Sequence, residues 1–110
     1  QKFDGHFLRG NTMKVMSIIR FKPKPENYDE FIDVQTYRNA KKREEFPDQK
    51  RWLFQFGDEV VYVKISPSIE TLVDQQPESL SSLDDVRHML EPYSDEDGHT
   101  IAMSGVIMDE

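Results

Sequence analysis

Residues 51–65 read RWLFQFGDEVVYVKI, two runs of aromatic and β-branched residues separated by Gly57-Asp58. A two-residue connection of this kind is a strong hairpin signal, because glycine supplies the positive φ that a tight turn between twisted strands demands. The loop also sets the register. Phe56 faces Glu59, Phe54 faces Val61 and Trp52 faces Val63, whereas Leu53 faces Tyr62 and Gln55 faces Val60 on the other side. Trp52 and Tyr62 therefore point to opposite faces. The set Trp52, Phe54, Val61 and Val63 is the more apolar, and it is expected to meet the helices.

Upstream, Met13 to Phe21 (MKVMSIIRF) carries apolar residues in both alternating sets, Val15, Ser17, Ile19, Phe21 and Met16, Ile18, Arg20, as in a strand covered on both faces. Pro23 and Pro25 end it, and Asn27 with Glu30 three residues later suits a capping box. Tyr28, Phe31 and Ile32 continue at helical spacing. Acids come early (Glu26, Asp29, Glu30) and bases late (Arg38, Lys41, Lys42, Arg43), matching the helix dipole at both ends. Pro47 stops the helix.

Downstream, Ser66-Pro67 suits an N-cap followed by proline at the first helical position, with Ile69, Leu72 and Val73 as a short stripe that Pro77 limits. A second start at Ser81 or Ser82 leads through Leu83, Val86 and Leu90 to Pro92. The acidic loop Ser94 to Gly98 precedes a last strand, His99 to Met108. Residues 1–12 show no period of 2 or 3.6 and read as an irregular extension or a cloning remnant, so the domain spans residues 13–110.

The 110 residues include 36% hydrophobic and 32% charged side chains, 7 Phe and no Cys. That admits one domain able to bury roughly two thirds of its unfolded surface. It excludes a disulfide scaffold, a thiolate metal site and cysteine chemistry. No apolar run approaches the roughly 18 to 20 residues of a membrane span, no secretory signal is visible, and a cytoplasmic location is favoured. Residues 1–56 hold 12 Lys and Arg against 8 Asp and Glu (+4), and residues 57–110 hold 2 against 13 (−11), for a net −7. The dense basic stretch Lys41, Lys42, Arg43 with Lys50 and Arg51 is interrupted by Glu44, Glu45 and Asp48. Nucleic acid is therefore not an expected partner.

Strand, helix, strand, strand, helix pair, strand is an α+β, ferredoxin-like βαββαβ order with a four-stranded antiparallel sheet and helices on one face. Because the first and last strands are apolar on both faces, the uncovered side needs a partner. A second copy joined through that sheet face covers it most economically, giving a homodimer.

The stretch MKVMSIIRFKPKPENYDEFIDV, a strand followed by a Lys-Pro pair, an acidic helix start and a D-E-F turn, resembles the antibiotic-biosynthesis-monooxygenase-like group of the dimeric α/β-barrel superfamily. The resemblance implies a dimeric α/β barrel with a ligand cleft between helices and sheet. It also implies cofactor-independent monooxygenation of phenolic or quinone-like compounds in some members and haem degradation in others. The Asn that haem-degrading members keep on the first strand would fall near Ile19, which cannot replace its hydrogen bond. His88 falls on the second helix, where those members keep a haem-ligating His, but about 200° round from Val86 and Leu90, so it is expected to face solvent.

Remaining candidates are few. His6, His88 and His99 have no zinc spacing, and Asp95, Glu96 and Asp97 lack that of a calcium loop, so no metal is expected. P-loop, G-x-S-x-G and G-x-G-x-x-G motifs are absent. Trp52 could stack on a planar ligand. Ser17 is the polar member of an inward set and needs a partner, a neighbour being the simplest. Tyr37 borders the expected cleft mouth, and Arg20, opposite Ser17, is placed for a dimer contact. The expected function is a small homodimer binding a planar aromatic or quinone-like compound near Trp52, Ser17, Tyr37 and His88 without a cofactor, resembling the cofactor-independent monooxygenases. The alternative is a non-catalytic ligand- or protein-binding domain of the stress-response or accessory type; a remoter one is haem degradation.

Overall fold

Alternating hydrophobicity and turn chemistry set the order of elements. In the computed structural model, which describes residues 13–109, β1 spans Val15–Phe21, α1 Tyr28–Glu45, β2 Lys50–Phe56 and β3 Glu59–Ser66. They are followed by α2 (Ile69–Val86) and β4 (Thr100–Val106), with 3-10 turns at Pro25–Asn27 and Arg87–Met89. The expected extension over residues 1–12, with His6, lies outside the described residues. The sheet is antiparallel throughout, in the order β2-β3-β1-β4. This α+β architecture is compatible with a ferredoxin-like fold. Among the described residues no helix is long and apolar enough to cross a membrane.

The hairpin register is the one its loop dictates: Phe56 pairs with Glu59, Phe54 with Val61, Trp52 with Val63, Leu53 with Tyr62 and Gln55 with Val60. Gly57 alone carries the positive φ of the turn, 61°, at its first central position, as a type II′ connection requires. The facing of the hairpin, however, is the reverse of expectation. Leu53, Tyr62 and Ile19 pack against the cluster of Phe21, Phe31, Val60, Val86, Met89 and Leu90, to which α1 and α2 contribute Phe31 and Val86. Trp52, Phe54, Val61 and Val63 therefore line the face that the helices leave open. The apolar set was the wrong guide because both faces of this sheet bury or present apolar surface, and the side under the helices carries polar residues as well.

Two helix boundaries also differ. Ser68, not Ser66, caps α2, its hydroxyl accepting from the Thr71 amide at 3.2 Å; Ser66 is the buried last residue of β3. Pro77 does not end the helix but lies inside one 18-residue element. A mid-helix proline removes one bond and costs roughly 3 kcal/mol. The cap at Ser68, the Ser79 hydroxyl bonded back to the Gln75 carbonyl at 3.2 Å, and Leu83 and Val86 in the core hold the helix on both sides of it. At the start of α1, the Asn27 side chain bonds the Glu30 carboxylate at 3.0 Å and makes no cap to the backbone.

The helices run antiparallel, since Arg38 of α1 reaches the Ser82 carbonyl (3.0 Å) and Asp85 (3.7 Å), and Lys42, one turn on, pairs with Glu78. Phe31 is fully buried with its ring 5.1 Å from that of Phe21. Phe31→Ala should therefore cost about 3–5 kcal/mol in urea unfolding, against under about 0.5 kcal/mol for exposed Tyr37→Ala. Equal losses would place the core elsewhere.

Candidate functional site

Strand pairing assembles one polar row across the helix-covered face. Arg51 lies opposite Lys64, Lys64 opposite Ser17 and Ser17 opposite Ser104. The next row, Leu53, Tyr62, Ile19 and Ala102, is mainly apolar and leads into the core. The layer between sheet and helices is thus divided along the strands, hydrocarbon at the Phe21 end and polar at the Val15 end.

Burial at the polar end is nearly complete. Arg51 is 6% exposed, Lys64 5%, Gln49 3% and Ser66 0%. Arg51 donates to the Tyr62 hydroxyl at 2.5 Å and to Gln49 Oε1 at 2.6 Å, and Lys64 donates to Gln75 Oε1 at 3.0 Å. Every one of these acceptors is neutral. Among the described residues no carboxylate lies within ion-pair distance of either cation, and Glu78, nearest in charge to Lys64, is engaged by Lys42. Arg51 Nε and Ser66 Oγ are buried without a hydrogen-bond partner among the described residues. Two buried cations side by side with neutral partners form an electrostatically incomplete arrangement, since buried charge is costly unless countered.

The titrations reflect this. Burial, reinforced by Arg51 and Lys42, pushes the Lys64 ammonium down to about 8. Burial raises the Tyr62 phenol, against the pull of Arg51. Arg51 is the link to solvent, because it also lines a shallow open groove of about 440 Å³ at the free edge of β2, with Arg43, Pro47, Gln49, Lys50 and Trp52. Arg43 lies across that edge and donates to the Arg51 carbonyl at 3.0 Å.

The opposite face is apolar, and no described element covers it. Its rows are Trp52, Val63, Ile18 and Met103, then Phe54, Val61, Arg20 and Ile101. Phe54 is 45% exposed and Met103 65%. One end is closed by a polar knot in which Arg20 makes a two-pronged pair with Glu59 (2.9 and 3.0 Å) and the Tyr93 hydroxyl donates to the same carboxylate at 2.5 Å. The Arg20 bond, with that of Tyr93, holds the Glu59 carboxyl below its usual range, while burial and Glu59 raise the Tyr93 phenol.

The expected site residues do not converge. Trp52 lines the edge groove. Ser17 is buried in the polar row with its hydroxyl 3.0 Å from that of Ser104. Tyr37 is an exposed α1 residue with Lys41 over its ring at 5.8 Å. His88 is exposed on the 3-10 turn Arg87–Met89, away from the edge groove. Among the described residues no cluster of His, Asp and Glu could hold a metal ion. Sequence reasoning missed Arg51 and Lys64; the available signal was that the hairpin register sets them opposite one another, which would be costly unless they shared a function or lay in solvent. No family model matches the sequence, and no curated protein matches it.

Because Lys64 holds its proton less tightly in the fold than in the unfolded chain, the unfolded state carries more protons between about pH 8 and the ordinary value of 10.5. Stability relative to Lys64→Met should therefore rise with pH through that window and stay level below it. Thermal melts of both proteins across the window check this; parallel profiles would mean a solvated amine.

Proposed function

We propose that the protein is a homodimeric ligand-binding protein, paired through the open sheet face and holding a planar aromatic or quinone-like compound beside Trp52. The observation that carries this is the placement of Trp52, the chain's one tryptophan, in a groove furnished with polar side chains at the rim of an uncovered apolar face. An aromatic ring offers a stacking surface, and the neighbouring amide and guanidinium groups orient what stacks there.

The dimer half of the proposal rests on the central and far strands. Met16, Ile18, Met103, Gly105 and Met108 line a second shallow groove of about 580 Å³ on the open side. Contiguous apolar surface of this breadth is unusual on a monomer, and a two-fold axis covers it with an identical patch. Trp52, on the edge strand β2, lies at the margin of that patch.

The second reading is an oxygenase that needs no cofactor, as the resemblance to the antibiotic-biosynthesis-monooxygenase-like group implies. Lys64 favours it, since an amine pushed down to about 8 can take the proton of a phenol that reaches it. Binding stands first because the groove is open to water, whereas oxygenation of a reactive carbanion or phenolate gains from its exclusion.

Sedimentation should give twice the 13.0 kDa chain mass for the native protein and a folded monomer for Met103→Glu. A wild-type monomer would sink the dimer. Dissolved oxygen should be stable in the presence of a hydroquinone; consumption lost in Lys64→Met would replace binding by oxygenation.

A further inference from the structure

We infer that the edge groove selects an aromatic acid, a planar ring bearing a carboxylate or sulfonate, with the ring on Trp52 and the anionic group held by Arg43, Lys50 and Arg51. The inference rests on the proposal that Trp52 binds an aromatic ring and adds the charge of that ring's substituent.

Charge composition is the first support. Of the described residues that line it, Arg43, Lys50 and Arg51 are cations, and Pro47, Gln49 and Trp52 are neutral. Among the described residues no acid lines the groove, although the chain as a whole carries a net charge of −7. Asp48, the acid embedded in this segment, is not among the lining residues. The remaining cations of α1 are largely engaged: Arg38 with Asp85, Lys42 with Glu78, and Lys41 over the Tyr37 ring.

The state of Arg51 is the second. A guanidinium has five N–H groups, and Arg51 directs two of them to neutral oxygens and leaves Nε buried without a partner. It stands beside Lys64, a second buried cation, so a negative group at the groove would supply the countercharge that the fold omits. Arginine suits that task because its planar fork matches a carboxylate or sulfonate in two-pronged geometry. Arg43 is fixed in place by its bond to the Arg51 carbonyl, and Lys50 is exposed beside it. Gln49 accepts from Arg51 and lines the same groove.

The geometry accounts for both parts of such a ligand. Lys50 and Trp52 project toward the open side of the edge strand and Arg51 toward the helices, so the groove wraps the strand edge and meets side chains from both faces.

The test uses the single indole N–H signal of Trp52 in a nitrogen-proton correlation spectrum of the full chain, titrated with 2-naphthoate and with the isosteric 2-naphthamide. Naphthoate should shift the signal with a Kd about tenfold or more below that of naphthamide, as expected for a charge-assisted contact. Added salt should narrow the gap. Arg43→Gln combined with Lys50→Gln, which gives up the Arg43 bond to the Arg51 carbonyl but keeps the Arg51 bonds to Tyr62 and Gln49, should reduce the preference at least about threefold. Equal affinity for acid and amide would overturn the inference while leaving ring binding at Trp52 in place. A preference undiminished by the double substitution would overturn the assignment to these cations. Failure of both compounds to move the indole signal, with the fold intact, would overturn the ring-binding proposal and this inference together.

Discussion

The row Arg51, Lys64, Ser17, Ser104 depends on a single constraint, the strict alternation of side chains along paired strands. The Gly57-Asp58 turn locks β2 to β3, and β1 locks both to β4. With that register, a cationic row lies under the helices and the row Trp52, Val63, Ile18, Met103 lies on the open side. A slip of one residue in any pairing would exchange the two. The buried cations and the uncovered apolar face are two consequences of the same pairing.

Between helices and sheet, stability and polarity are segregated. Phe21, Phe31, Val60, Val86, Met89 and Leu90 make a closed hydrocarbon cluster at one end. The other end holds Arg51, Lys64, Gln49, Ser17 and Ser66, whose burial contributes less than an equal volume of hydrocarbon would. Passage of α2 through Pro77 matters here. A helix broken at that proline would not carry Gln75 to Lys64 and Glu78 to Lys42 from one rigid element.

The charge asymmetry of the sequence is mostly resolved by interleaving the two halves. Acids from the second half meet bases from the first in Arg20–Glu59, Arg38–Asp85 and Lys42–Glu78. Exposed pairs of this kind add little stability individually, so their effect is chiefly to remove free positive charge from α1 and β1. Among the described residues the basic groups at the β2 edge are outside this exchange, and the groove keeps its sign within an acidic chain.

Sequence alone determined the order of strands and helices and the hairpin register, because Gly57, the prolines that follow β1 and α1 and the period-2 runs act over a few residues, whereas the break expected at Pro77 was overridden by packing on both sides of it. It also exposed an excess of apolar surface for one helix layer, visible in β1 and β4. Which hairpin face meets the helices was decided by the pairing of β1 with β3, 39 to 51 residues apart from Phe21–Val60 to Val15–Ser66, and no local pattern encodes it: Trp52 and Phe54 outweigh Leu53 and Tyr62 in apolar size yet lie outside. The burial of Arg51 and Lys64 was hidden for the same reason, since a charged residue in an alternating strand is ordinarily the solvent-facing one. Tertiary structure alone settled their burial, because only the helices packed over their row, with Gln49, Tyr62 and Gln75 as partners, take them out of water.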